Sequence, residues 1–328
     1  MKRIIFAICT ILCANVLFAQ EQLATLKHND SISVYYGANA FVQAYNAATH
    51  GDIITLSDGI FSTPSDVRKG ITVRGNGAVA DTARHSIGTY FMNTFKVQSL
   101  GDSLHFEAEG IYFDHLSISN SYDVNLTRCY MDYFSSYGGV QATNCIIKNS
   151  LYGTSSNNNT YINCVLVASN GSSPSYIPYY VICNNCIILG TYDEVGGGGY
   201  RQYQFNNCIV MKKGTASDTI LNGSLNNSIL IGFTGTDSPT SSGNVAMSLS
   251  DVFENWDGES LPTDLETYVL KSSVSDSIQG LDGTEVGIFG GFMPFDWRPT
   301  YSVIKRCNVA NRTTADGKLS VDIEVITE

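Results

Sequence analysis

Asn144-Cys145-Ile146-Ile147, Asn163-Cys164-Val165-Leu166, Asn185-Cys186-Ile187-Ile188, Asn207-Cys208-Ile209-Val210 and Asn227-Ser228-Ile229-Leu230 repeat one phrase through the middle of the chain. Two looser copies precede them, Asp114-His115-Leu116-Ser117 and Arg128-Cys129-Tyr130-Met131. Counted on the Cys slot, the steps are 14, 16, 19, 22, 22 and 20 residues. Self-similar units at such spacing form stacked solenoids. The phrase is short, β-branched and Cys-rich, and it is flanked by Asn, Ser, Gly and Thr, which is strand and turn chemistry. A leucine-rich repeat would need a Leu-x-x-Leu-x-Leu run ahead of the slot. Helical repeats would need long amphipathic stretches, and residues 110–245 hold neither. A parallel β-helix fits, with the uneven steps as loops of uneven length.

In such a stack, equivalent residues lie about 4.8 Å apart on successive coils. The slot asparagines are expected to bond up and down their column, keeping a buried turn satisfied. The slot cysteines are expected as small buried hydrophobes. Both parities of Cys-Ile-Ile are apolar, so the pattern leaves open which one faces the core, as for a strand covered on both sides.

Residues 1–19 read as a signal peptide: Lys2 and Arg3, an apolar run from Ile4 to Phe18, and Ala19 before the cut. The run is short for a membrane span, and no other stretch is long and apolar enough for one. The protein is therefore expected to be exported, to the periplasm, the cell surface or the medium. Removing Lys2 and Arg3 takes the net charge from −11 to −13. That disfavours nucleic acid and anionic lipid, which need a basic face. Seven cysteines remain, an odd number that argues against a full disulfide framework. Cys183-x-x-Cys186 has no second pair and no clustered histidines, so packing outweighs a zinc or redox reading.

Residues 38–50 carry Phe41, Ala44, Tyr45 and Ala48 on one helical face, stopped by Gly51-Asp52. Strand pattern follows at 53–56, 58–61 and 70–73, with a turn at Gly75-Asn76-Gly77. A short helix ahead of the first coil would plug the open end of a stack. The helix, the Gly-Asp-Ile-Ile-Thr-Leu-Ser-Asp-Gly-Ile-Phe run and Gly-Ile-Thr-Val-Arg-Gly together resemble the opening of right-handed parallel β-helix proteins of the pectin-lyase-like superfamily. The Asn-Cys-Ile-Ile coils resemble their central rungs. The resemblance spans residues 38–247 and implies an all-β, right-handed parallel β-helix. It leaves function open, since the fold carries lyases, hydrolases, adhesins and binding proteins. The expected layout is a signal peptide (1–19), a lead-in with a capping helix (20–50), coils (51–247), and a C-terminal cap with terminal strands (248–328), as a monomer. Residues 248–300, with Trp256 and Trp297, read as a wrap that seals the far end of the stack. Lys318–Ile326 alternates as a strand after the Asp316-Gly317 turn, with Ser302–Val309 as its partner.

Two excursions, 169–181 and 190–205, leave consecutive coils at equivalent points and so are expected side by side. They gather Tyr176, Tyr179, Tyr180, Tyr192, Tyr200 and Tyr203, with Asp193, Glu194 and Arg201 between them. Aromatic faces with polar tips suit sugar rings, and such residues on loops point to a platform for a polysaccharide or surface glycan. The plain alternative is that the tyrosines pack on one another and hold the loops down. The resemblance also implies a catalytic reading: lyases of this fold combine acidic calcium ligands with an Arg or Lys base, and hydrolases use paired carboxylates. Asp193, Glu194 and Arg201 on one loop, and Arg128, Asp132 and Lys148 near the slots of consecutive coils, are candidates, with a solvated surface charge or a turn former as the alternative for each. Asp114-His115 invites an acid–base role, but on the repeat slot a structural His is expected. Asp282-Gly283-Thr284-Glu285 is too short for a calcium loop. No phosphate loop, dinucleotide fingerprint or nucleophile elbow is present, and no cofactor is expected beyond calcium if the protein is a lyase.

Overall fold

The computed structural model describes residues 22–82, 86–101, 103–121, 123–148, 151–152, 159–167, 181–191, 203–212, 223–233, 242–256, 268–298, 303–309, 318 and 321–326. The chain visits two long sheets in turn and folds as a parallel β-solenoid. Sheet A orders Ser31–Tyr36, Leu23–His28, Ile53–Leu56, Thr72–Arg74, Phe106–Glu109, Val124–Thr127, Val140–Thr143, Asn159–Ile162, Val181–Asn184, Tyr203–Asn206 and Gly223–Asn226. Sheet B orders Gly59–Ile60, Thr89–Gln98, Tyr112–Ser119, Tyr130–Tyr137, Ile146–Lys148, Val165–Val167, Ile187–Thr191, Ile209–Lys212, Ile229–Ile231 and Val245–Met247.

The repeated phrase is the corner from sheet A into sheet B. Arg128, Asn144, Asn163, Asn185, Asn207 and Asn227 all take a left-handed backbone, with φ between 46° and 55°. Few residues besides Gly, Asn and Asp tolerate that conformation, which is why Asn recurs. Gly110, with φ 64°, holds the same corner one coil earlier. Tyr130 is level with Tyr112, so Ile111 fills the Cys slot of that coil. The assignment of His115 to the slot is thereby corrected: it lies further along the strand, paired with Thr94 and Tyr133.

The asparagine ladder sits one residue earlier than expected. Asn206 Nδ2 donates to Asn184 Oδ1 (2.9 Å) and Asn226 Nδ2 to Asn206 Oδ1 (3.0 Å). The corner asparagines instead bond the C-terminal segment. Asn163 Nδ2 donates to the Ile288 and Gly290 carbonyls at 2.7 Å each. Asn144 reaches Pro294 O (3.3 Å), Asn185 reaches Glu285 O (3.4 Å), and Asn227 reaches Gln279 O (3.4 Å). Asn207 Oδ1 accepts from the Leu281 N–H at 2.8 Å. Residues 279–297 thus run back along the flank of the stack as a strap, rather than across its far end.

The reason is packing. Cys145 and Ile147 line the bore, while Ile146, Val165, Ile187, Ile209 and Ile229 face outward. These outward aliphatics join Val274, Val286, Ile288 and Phe295 in a second core. Both parities are apolar because both faces are covered. Gly287 (φ +89°) lies so close to this column that a Cβ there would meet Ile209 Cδ1 at 2.8 Å.

Cys129, Cys145, Cys164, Cys186 and Cys208 are buried free thiols, as expected for packing residues, and Cys183 is another. Each slot sulfur is also a hydrogen-bond partner: the Cys145 N–H donates to Cys164 Sγ (3.4 Å), and Cys164 S–H to the Ile162 carbonyl (3.2 Å).

The helix is Ala40–Ala47, and Phe41 packs on Phe91 and Phe95 with ring centroids 5.0 and 5.7 Å apart. The sequence reading did not anticipate the antiparallel hairpin Leu23–His28/Ser31–Tyr36, which extends sheet A beyond Ile53–Leu56. The Val303–Val309/Val321–Ile326 hairpin forms as read, with Asp316-Gly317 outside the described residues. Among the described residues no helix is long and apolar enough to cross a membrane.

Candidate ligand-binding face

Three early strands of sheet B are long: Thr89–Gln98, Tyr112–Ser119 and Tyr130–Tyr137. The described parts of later ones are shorter, as Val165–Val167 is. The extra length alternates. Phe95, Val97, Leu116, Ile118, Phe134 and Ser136 point into the core. The residues between them are at least partly exposed and stack in rows: Thr94–His115–Tyr133, Lys96–Ser117–Ser135 and Gln98–Ser119–Tyr137. Leu151–Tyr152 pairs with Phe134–Ser135 and carries the surface one coil further. Among the described residues, none of the strap's partners lies on these rows.

The His115 and Tyr133 rings lie 6.1 Å apart, tilted by 49°. Tyr133 is 50% exposed and Tyr137 42%. Beside them runs a stack of half-buried rings: Tyr90 to Tyr112 at 5.2 Å, then Tyr112 to Tyr130 at 5.1 Å, with Trp297 of the strap 6.4 Å beyond. Tyr112 Oη donates to Asp132 Oδ2 at 2.5 Å. Lys148 Nζ lies 3.8 Å from Asp132 Oδ1 and 4.9 Å from the centre of the Tyr130 ring. Asp114 falls level with Asp132, between the Phe113/Met131 and His115/Tyr133 pairs. Burial, then the bond to Asp132, pushes the Tyr112 phenol well above its ordinary range, so it stays a donor. The face thus offers ring surfaces, hydroxyl and amide groups, and one carboxylate held between a phenol and an ammonium.

The loop residues Tyr176, Tyr179, Tyr180, Tyr192, Asp193, Glu194, Tyr200 and Arg201 lie outside the described residues. Tyr203 opens the strand Tyr203–Asn206, level with Val181 and Gly223. The roots of the two excursions are in register, Val167 with Leu189 on departure and Val181 with Tyr203 on return. They leave from the side of sheet B on which Leu151–Tyr152 pairs with Phe134–Ser135.

Arg128 and Lys148 part company. Lys148 joins Asp132 on the face, but Arg128 is buried beside Glu109 (3.4 Å; side chains 10% and 8% exposed), which corrects the solvated-charge alternative for it. Asp282 Oδ1 accepts from the Thr284 N–H and Oγ1–H at 3.0 and 2.8 Å, a local turn. No cluster of three or more potential metal ligands occurs among the described residues. The sequence reading missed Tyr133, Tyr137, Lys96 and Gln98; the alternation through Tyr130–Tyr137 was the signal. No family model matches the chain, nor does any curated protein or solved structure.

Proposed function

We propose that the chain is an exported right-handed β-helix protein of the pectin-lyase-like kind that binds a polysaccharide or another surface glycan. The binding surface is the row face of Thr94, Lys96, His115, Ser117, Tyr133 and Tyr137, extended by the tyrosine-bearing excursions rooted at Val167 and Thr191. One observation carries this reading. The outer face of sheet B is strapped over its later coils, while its early coils present the His115–Tyr133 ring pair amid hydroxyl and amide side chains. Flat rings with polar neighbours suit the apolar and hydroxyl-bearing sides of a sugar. The net charge of −11 favours neutral over strongly acidic glycans.

A glycan-array screen of the mature chain tests it. His115→Ala/Tyr133→Ala should weaken binding about tenfold or more, since about 1.4 kcal/mol is a factor of ten. Its thermal melt should not change, because both side chains face outward. Tyr192→Ala/Tyr200→Ala/Tyr203→Ala measures the share of the excursions. No binding to any glycan would sink the proposal.

The Tyr112–Asp132–Lys148 contacts favour cleavage as a second reading, by lyase or hydrolase chemistry. Unsaturated products or new reducing ends, sought with and without calcium, would establish it. Their absence across the same glycans, with binding intact, would leave a binding protein.

A further inference from the structure

Sheet A does not end on a covered strand. Ser31–Tyr36 pairs with Leu23–His28 along one side, and no described residue pairs along the other. Gly37 N–H bonds Gln22 O at 2.8 Å, which sets the phase of the ladder. In an antiparallel pair, bonded and non-bonded positions alternate. Ser31, Ser33 and Tyr35 therefore turn their backbone groups toward Leu23–His28. Ile32, Val34 and Tyr36 turn theirs to the open edge.

The same three residues carry the strand's exposed large apolar side chains: Ile32 is 68% exposed, Val34 44% and Tyr36 57%. They stand opposite Lys27, Thr25 and Leu23, on the face away from the buried Ala24 and Leu26. Natural edges are usually blunted by charge, proline or a bulge. The six residues Ser-Ile-Ser-Val-Tyr-Tyr contain no charge and no proline, and their register with the neighbouring strand is unbroken.

We propose that this edge is a self-association surface, occupied by the same strand of a second copy. A two-fold axis perpendicular to the sheet, passing at Val34, makes the two strands antiparallel with like faces together. Val34 then lies opposite the second Val34, and Ile32 opposite Tyr36 at both ends. In this register the positions with open backbone groups meet each other, so Ile32, Val34 and Tyr36 of each copy exchange bonds. The same register sets β-branched beside aromatic and β-branched side chains, which are favourable cross-strand pairs. The uncharged strand lets two mature chains of net charge −13 approach without a close like-charge pair at the seam. One strand per copy makes a small interface, so the dimer is reversible and concentration-dependent, in place of the monomer expected from the sequence.

The register makes the test sharp. Sedimentation of the mature chain over a concentration series should show monomer passing to dimer. Val34→Lys places like charges opposite each other at the axis and should weaken association about tenfold or more, with the thermal melt unchanged because the side chain is exposed. Val34→Cys should form a covalent dimer under mild oxidation, since bonded antiparallel pairs have Cα atoms about 5.5 Å apart, within disulfide reach. Ile32→Cys should not, because its counterpart lies four residues along the partner strand. A chain that stays monomeric at every concentration would overturn the proposal, as would Ile32→Cys cross-linking as readily as Val34→Cys.

Discussion

Asn163 is the corner residue on which the strap depends most. Its Nδ2 donates to two buried carbonyls, Ile288 and Gly290, at 2.7 Å each, and its backbone sits at φ 49°. Asn163→Gly keeps the left-handed backbone and removes both bonds. Each is worth about 1 kcal/mol net; the Gly290 carbonyl stays buried without its donor, while the Ile288 carbonyl keeps the Phe295 N–H. The buried Asn163 Oδ1, which has no partner, leaves with the side chain and offsets part of the loss. The net cost is about 2 kcal/mol, taken at the low end of that range. Asn163→Ala loses the same bonds and adds about 1 kcal/mol for an L-residue with a Cβ in the left-handed region. Hydrogen exchange reads local opening directly. Reporters are the N–H of Phe295, bonded to Ile288 O at 2.8 Å, and the N–H of Gly290, bonded to Gly287 O at 3.1 Å. Both should exchange about thirtyfold faster in Asn163→Gly and roughly a hundredfold faster or more in Asn163→Ala, at about 1.4 kcal/mol per decade. Bore amides such as that of Cys164 should be far less affected. Unchanged exchange at Phe295 in the glycine variant, or an alanine variant no worse than it, would refute the corner-and-strap account.

Other outcomes follow from the same structure. Burial pushes the Cys145 and Cys186 thiols up, so native protein should resist thiol reagents, while unfolding should release the six described thiols for titration. Asp52 is raised by burial, but the Thr49 N–H and His28 outweigh that and hold its carboxyl below the ordinary value. A depressed acid stabilises the fold above its unfolded pKa of about 3.9 and loses that contribution as pH falls through the folded value. Denaturant melts of wild type and Asp52→Asn should therefore differ at pH 7 and converge in strong acid. Gly138→Ala would set a Cβ 1.8 Å from the Ser121 carbonyl, so calorimetry should show severe destabilisation or no folded protein.

The corner phrase made the fold legible because two demands coincide there. A left-handed residue is required, which selects Asn, and a tight inward slot follows, which selects Cys. Where either demand is met by another residue the reading slips. Gly110-Ile111 serves the same corner without looking like it, and His115 was taken into the slot in its place. The outward isoleucines signalled cover on both faces but did not say what lay over them. The strap has no repeat of its own, and its partners lie far off in the chain, from 52 residues for Asn227 and Gln279 to 150 for Asn144 and Pro294. The Ser31–Tyr36 strand was legible in its alternation and in the Asn29-Asp30 turn, but the helix behind it drew the reading. The row face was hidden because Leu116 was read into the repeat phrase, while its other inner positions, Ile118 and Phe134, fit no phrase.

The strap also orders events in time. A chain made from its N-terminus delivers the coils first and residues 279–297 near the end. Until then the column Ile146, Val165, Ile187, Ile209 and Ile229 stands open to water, together with the corner amides that await their carbonyls. Each nascent molecule passes through a stage with a long greasy flank, and a chain cut short before Gln279 never leaves it. Protection against clumping during synthesis is therefore delivered late, by the segment that looks least like part of the repeat.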